Sequence, residues 1–143
     1  MAVLRIAGLP DTALAAAAAF HAVWLERALA HRSPLSFRGE GGGGGGSADI
    51  EPDHSPHPNP FPEGEGLLVL IFAPADQTHR SWRLAAVQGL ARELAPRRVN
   101  ALASSDDAAI AAALAYLNAA GGVTGQYLQL DDLGAGLVIS SPA

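Results

Sequence analysis

The sequence has 143 residues, enough for one domain with a hydrophobic core, and 49% of them are hydrophobic. The net charge is −5 and every cationic side chain is an arginine, so no nucleic-acid partner is expected. Cysteine is absent, which excludes disulfides, thiolate catalysis and cysteine-ligated zinc. Charged residues interrupt the N-terminal apolar stretches, so we expect neither a signal peptide nor a membrane span, and a cytoplasmic location.

A short strand and a long helix are predicted at the start of the chain. Residues 2–8 form a brief apolar run typical of a strand. Asp11 is expected to cap a helix that runs over about residues 12–31. The predicted buried stripe of this helix consists of Leu14, Ala18, His21, Leu25, Ala28 and Leu29, with Trp24 at its edge.

Residues 37–66 differ sharply in composition from the rest of the chain. Six consecutive glycines at 41–46 precede a segment of prolines and acidic residues. Too few apolar side chains are present to offset the backbone entropy lost on ordering, so we predict a flexible Gly/Pro-rich loop within one domain spanning 1–143. His54 and His57 lie in this loop without a third ligand nearby, and no metal site is expected.

The second half of the sequence alternates between strand and helix patterns. The uninterrupted apolar run 67–72 predicts a strand buried on both faces of a parallel sheet. An amphipathic helix, a second strand at 99–102, a third helix at about 106–119 and a last strand at 126–130 follow. Ser104 and Asp107 resemble a capping box for the third helix. The order predicts an α/β fold: a parallel sheet of about four strands, right-handed crossovers and about three long helices.

Three short motifs carry a resemblance to a known family. Residues 90–96, L-A-R-E-L-A-P, are followed by Val99-Asn100, and Thr124-Gly125-Gln126 comes before the last strand. Together they resemble the "LAxELAP" helix end, the "VN" strand and the "TGQ" signature of short-chain dehydrogenases/reductases. More weakly, Ile6-Ala7-Gly8 stands where that family often has "NNAG". The resemblance implies a truncated Rossmann-like fold that corresponds to the second half of the family's fold.

The positions that carry the family's chemistry are replaced in this chain. The family's catalytic Tyr-x-x-x-Lys falls on Asp76 and Arg80, which we expect to form a surface ion pair instead. The family's glycine-rich dinucleotide turn has no counterpart, because residues 8–11 offer one glycine, a proline without an amide, and an acid. We therefore predict no catalytic, cofactor-binding or metal-binding residues.

These departures favour a non-catalytic subunit that acts in assembly. In the family, the helices that this chain retains contact a second subunit. The implied partner is another copy of the chain or a complete short-chain ketoreductase, which this chain would stabilise or regulate, and no cofactor is expected. The residues predicted for this interface are Trp24, Trp82, Ala86, Gly89 and Leu90.

Two other interpretations of the sequence stay open at this stage. A divergent oxidoreductase would still bind NAD(P) and use Asp76, His79 or Arg80 in acid/base work on a ketone or alcohol. A product of gene decay would fold without a selected role. Gel filtration with co-purification, and titration with NADH and NADPH, separate the assembly hypothesis from the enzyme hypothesis.

Overall fold

A computed structural model of the chain describes residues 1–32 and 66–130. It contains a four-stranded sheet in which every neighbouring pair is parallel, and the strand order follows the chain. The strands are β1 Ala2–Arg5, β2 Leu67–Phe72, β3 Arg98–Ala103 and β4 Tyr127–Gln129. The predicted α/β fold with four parallel strands is confirmed. The predicted loop, apart from Gly66, lies outside the described residues, as do His54 and His57.

Three helices connect the strands. Helix α1 begins as Ala13–Ala19, passes through a π-helical turn at Phe20–Trp24 and ends with Leu25–Leu29. A 3-10 turn at Gln77–His79 leads directly into helix α2, Arg80–Glu93, and helix α3 is Asp107–Ala119.

Strand β2 is the centre of the core, as its continuous apolar sequence predicts. Each of its six residues is at most 4% exposed. Leu68, Leu70 and Phe72 pack in the core under α1 and α2, while the alternate residues pack in a second core under α3. Burial on both faces explains why the strand lacks the polar alternation of a half-exposed strand.

The three crossovers do not share one hand. Helices α1 and α2 lie on one face of the sheet, whereas Ile110 and Leu117 of α3 pack on the opposite face. Successive strands all advance in the same direction across the sheet, so a helix on the opposite face reverses the hand of its crossover. At least one of the three crossovers is therefore left-handed. The expectation that all of them are right-handed is wrong, although most parallel connections follow that rule.

The buried stripe of α1 differs from the predicted one. Leu14 is 85% exposed, and Ala18 and His21 are also exposed, whereas Ala16 and Phe20 are fully buried in their place. The physical reason is that alanines carry little information about which face of a helix is buried, so the packing of the Phe20 ring decides it. The ring of Phe20 packs 5.7 Å from both the Phe72 and the Trp82 rings. The second half of the predicted stripe is correct, since Ala28 is fully buried and Leu25 and Leu29 pack partly buried against the core.

Two predicted helix caps are also corrected. The first helix starts after Thr12, which makes no side-chain capping bond, and Asp11 lies outside the helix. At α3 the Asp106 carboxylate accepts a hydrogen bond from the Ala108 amide at 2.8 Å, while the Ser104 hydroxyl accepts one from the Asp106 amide at 3.0 Å. A direct aspartate cap therefore replaces the predicted capping box, because Asp reaches the amide two residues ahead.

Candidate functional site

A cavity of about 290 Å³ lies at the carboxyl ends of β1 and β2. Its walls are the loop after β1, residues 6–11, and the loop after β2, residues 73–76, and two side chains of the following helical segment complete it. The carboxyl ends of parallel strands are where α/β proteins usually hold their ligands. The acidic and basic side chains in the lining are those of Asp11, Asp76, His79 and Arg83.

Asp76 caps the 3-10 turn that opens α2. Its carboxylate accepts hydrogen bonds from the Thr78 amide at 2.9 Å and from the Thr78 hydroxyl. These bonds to Thr78, first of all the one from its hydroxyl, hold the pKa of Asp76 below its ordinary value. Within residues 1–32 and 66–130 the ion pairs are Arg5–Asp107 and Arg32–Glu93, so the predicted Asp76–Arg80 pair does not form. The Asp76 carboxylate is occupied instead by its hydrogen bonds to Thr78.

His79 links the two walls of the cavity. The side chain is 4% exposed, and its Nε2 lies 2.9 Å from the Asp11 carbonyl oxygen. The Trp82 indole N–H donates to Nδ1 at 3.3 Å. Because an indole N–H only donates, Nδ1 must accept, and Nε2 carries the proton that is donated to Asp11. Both ring nitrogens take part in these hydrogen bonds, which is a structural arrangement.

Arg83 is buried at the base of the cavity. It is 3% exposed, and its Nη1 donates to the Ala73 carbonyl at 2.9 Å and to the Tyr127 hydroxyl at 3.0 Å. The guanidinium carbon lies 4.7 Å from the centre of the Phe72 ring, which offsets part of the cost of burying the charge. Nε is enclosed and has no hydrogen-bond partner. No carboxylate of the described segments pairs with this cation.

Sequence reasoning missed Arg83 because a charged residue is normally assigned to the exposed face of a helix. The available signal was its spacing: Arg83 lies three, four and seven residues before Ala86, Val87 and Leu90, all of which are buried. A residue at those spacings shares the buried face of a helix. Helical periodicity therefore places a cation in the core.

An apolar groove of about 460 Å³ runs between α1 and α2. Helix α1 contributes His21, Leu25 and Leu29, and α2 contributes the opposite wall and the floor. Four of the five predicted interface residues line it, namely Trp82, Ala86, Gly89 and Leu90. The fifth, Trp24, does not line the groove; it packs against the core, and the Arg27 guanidinium lies 4.8 Å from its ring centre.

The "VN" and "TGQ" motifs contact each other in the folded chain. The Asn100 side chain is fully buried and bonds to the backbone of the turn before β4. The Thr124 hydroxyl accepts from the Val99 amide at 3.0 Å, and the Gly125 amide donates to the Val99 carbonyl at 2.7 Å. Gly125 has φ 71°, which favours glycine at this position. Two motifs 25 residues apart in sequence therefore form one structural unit.

A match to a protein family covers the part of the chain that contains both motifs. A sequence model described as short chain dehydrogenase-like protein matches residues 49–130, which is more than half of the chain. The chain belongs to this SDR-like family. The match includes α2, β3, α3 and β4 with the contact between the two motifs, while residues 49–65 of it lie outside the described structure. No curated protein and no solved structure matched the chain.

The described residues of this SDR-like chain contain neither a cluster of metal ligands nor a helix that could span a membrane. Within the described residues, no group of three or more His, Asp or Glu side chains is placed to hold a metal ion. No helix in those same segments is long and apolar enough to cross a bilayer.

Proposed function

We propose that this SDR-like chain is a non-catalytic subunit whose role is assembly, and that its first partner is a second copy of itself. The observation that carries the proposal is the apolar groove between α1 and α2, which is lined by small and aromatic side chains. A complete short-chain ketoreductase is the second partner to be tested, in which case the chain has a structural or regulatory role. The cytoplasm is the compartment in which we expect this assembly.

The composition of the groove supports docking of a helix. Ala85 is exposed, Gly89 is half-buried, and a Cβ added at Gly89 would meet no atom within 4 Å. Small residues allow the backbones of two helices to approach closely. In a symmetric dimer each copy presents the same surface to the other, so a groove flanked by two helices can receive the corresponding helices of its twin.

The start of α2 supports a role without catalysis. Asp76 is used as a cap, and the ring nitrogens of His79 both take part in structural hydrogen bonds. Arg80 is exposed where the family places its lysine. An acid/base group must be free to reach a substrate proton, and the side chains of Asp76 and His79 are engaged in other hydrogen bonds.

Analytical ultracentrifugation of two charge-matched variants tests the assembly role. Gly89→Arg places a long cation in the groove, whereas Gln88→Arg adds the same charge at the neighbouring exposed position outside the groove. We expect a dimer for the wild type and for Gln88→Arg, and a folded monomer for Gly89→Arg. Replacing a helical glycine raises helix propensity by up to about 1 kcal/mol, so loss of the dimer would not reflect unfolding.

Two results would overturn this proposal. The first is a wild-type monomer with which no complete short-chain dehydrogenase co-purifies. The second is saturable binding of NADH or NADPH, followed by nicotinamide fluorescence, together with turnover of a ketone. Co-purification with an identified dehydrogenase by a wild-type chain that is otherwise monomeric would support the second form of partnership.

A further inference from the structure

We propose that His79 is a positioning residue of the groove between α1 and α2. It turns the N–H edge of the Trp82 indole inward, so that a partner helix meets only the apolar part of the ring. The inference rests on the proposed assembly, because it concerns the surface that a second copy would cover. It adds a residue from outside the groove, since His79 lines the cavity at the carboxyl ends of β1 and β2 instead.

The indole of Trp82 is held in place by two other aromatic rings. Its centroid lies 5.7 Å from that of Phe20 and 5.8 Å from that of Phe72, which it meets edge-on. These contacts fix where the ring lies. They do not fix which edge faces the groove, because the χ2 torsion of tryptophan is broad and roughly two-fold. A hydrogen bond to the N–H distinguishes the two orientations.

His79 supplies the acceptor for that hydrogen bond. The Trp82 N–H donates to Nδ1 at 3.3 Å. The His79 ring is itself fixed, because it is 4% exposed and its Nε2 donates to the Asp11 carbonyl at 2.9 Å. A carbonyl oxygen only accepts, so this second bond leaves Nδ1 as the nitrogen that accepts. The loop after β1 therefore determines the orientation of Trp82 through His79.

The orientation of Trp82 determines what the groove offers to a partner. The side chain is half-buried, and its exposed part belongs to the surface that a docked helix would cover. An N–H on that surface would lose its bonds to water unless the partner supplied an acceptor, and a buried donor without an acceptor weakens association. With the N–H turned to His79, the indole presents C–H groups beside Ala86 and Gly89. This surface suits the apolar helix faces of a second copy.

Two amide substitutions separate positioning from a merely structural role of His79. His79→Asn places its amide oxygen about where Nδ1 lies, so it still accepts from Trp82 but is too short to reach Asp11. His79→Gln reaches the place of Nε2 and still donates to the Asp11 carbonyl, but it leaves no acceptor in the place of Nδ1. If His79 only joined the two loops, Gln would be the better replacement. Positioning of Trp82 predicts the reverse.

Analytical ultracentrifugation gives the first readout. We expect the dimer Kd of His79→Asn to stay within about 3-fold of the wild-type value, and that of His79→Gln to be about 10-fold to 100-fold weaker. Trp82→Phe provides the control background, because it has no N–H to orient and both substitutions should then have equal effects. Equal Kd values of the two variants in the wild-type background, or tighter association of His79→Gln, would overturn the proposal.

Exchange of the Trp82 indole proton with D2O gives a second readout that does not depend on assembly. It is followed by NMR in the Gly89→Arg background, and the signal is assigned by its loss in Trp82→Phe. We expect slow exchange in the parent and in His79→Asn, and exchange at least about 10-fold faster in His79→Gln. The same rate in all three would overturn the positioning role, even for a chain that dimerises.

The two readouts keep this inference distinguishable from the proposed assembly. A monomeric wild type that shows the expected difference in exchange would contradict the assembly and support the orientation of Trp82 by His79. If neither His79 variant folds, the parent decides the matter. A Trp82 indole proton that exchanges as fast in the folded parent as in the urea-unfolded chain would show that His79 does not hold it, and the proposal would fail.

Discussion

The Asn100 side chain holds the backbone of Gln126 from inside the sheet. Its Oδ1 accepts the Gln126 amide at 3.1 Å, and its Nδ2 donates to the Val123 carbonyl at 2.9 Å. The side chain is completely buried. A single amide thus satisfies one donor and one acceptor of the turn that brings β4 alongside β3, and this explains the position of the last strand.

Replacement of Asn100 by leucine should destabilise the protein strongly. The substitution keeps a similar size but leaves the Gln126 amide and the Val123 carbonyl without their partner. Each unsatisfied buried group costs about 1–3 kcal/mol, so we expect a loss of about 2–5 kcal/mol in the free energy of unfolding. Urea denaturation followed by far-UV circular dichroism measures it. A loss below about 0.5 kcal/mol would show that this amide does not anchor the turn.

The Tyr127 hydroxyl should contribute to stability through Arg83. Tyr127→Phe removes a buried acceptor that lies 3.0 Å from Nη1 and keeps the ring that packs edge-on against Phe72. We expect a loss of about 1–3 kcal/mol, because the hydrogen bond involves a charged group. Tyr116→Phe is the matched control, since Tyr116 is 59% exposed and its replacement should be neutral. Equal effects of the two substitutions would contradict the buried contact.

Phe20 should matter far more than Leu14, although both lie on α1. Phe20→Ala opens a cavity between Phe72 and Trp82 and should cost about 3–5 kcal/mol. Leu14 is 85% exposed, so Leu14→Ala should change the free energy of unfolding by less than about 0.5 kcal/mol. Thermal and urea unfolding of the pair test which face of the helix is buried. Similar losses for both variants would indicate that Leu14 is buried, as the sequence predicted.

The Asp76 cap should make part of the stability depend on pH. Its pKa is lower in the folded chain than the ordinary value of 3.8, so the carboxylate stabilises the fold above that value. This contribution is lost as the pH falls through the folded-state pKa. We expect Asp76→Asn, which still caps but does not titrate, to lose less stability than the wild type between about pH 7 and about pH 3.

Urea midpoints at the two pH values provide the measurement, with Asp76→Ala as the variant that lacks the cap at both. Asp76→Ala should already be less stable than the wild type near neutral pH. An identical loss on acidification in the wild type and in Asp76→Asn would show that other groups account for the pH dependence.

The sequence predicted the parts of the fold in which the residues carry strong signals. Strand β2 was predicted over residues 67–72, which are its observed limits, because an uninterrupted apolar run has few alternatives. The order of strands and helices was also correct, since each helix has at least one clear boundary. The motifs at Val99-Asn100 and Thr124-Gly125-Gln126 led to the correct family by their sequence, and in the fold they contact each other.

The missed features depend on contacts between distant parts of the chain. The first half of the α1 stripe was misplaced because six of the seven residues at 13–19 are alanines, and only the packing of Phe20 on Phe72 resolves the choice. The hand of the third crossover depends on which face α3 covers, and a helix pattern does not specify this. The cavity was not predicted, because its key cation, Arg83, is buried by residues of three different elements.

Trp82 gives the groove between α1 and α2 an intrinsic optical signal. Its ring lines the groove between α1 and α2, while its N–H bonds to His79, which lines the cavity. The chain has two tryptophans, so Trp24→Phe leaves Trp82 as the only indole. In that variant, we expect the emission of this one fluorophore to change when a partner helix docks in the groove, without any attached label.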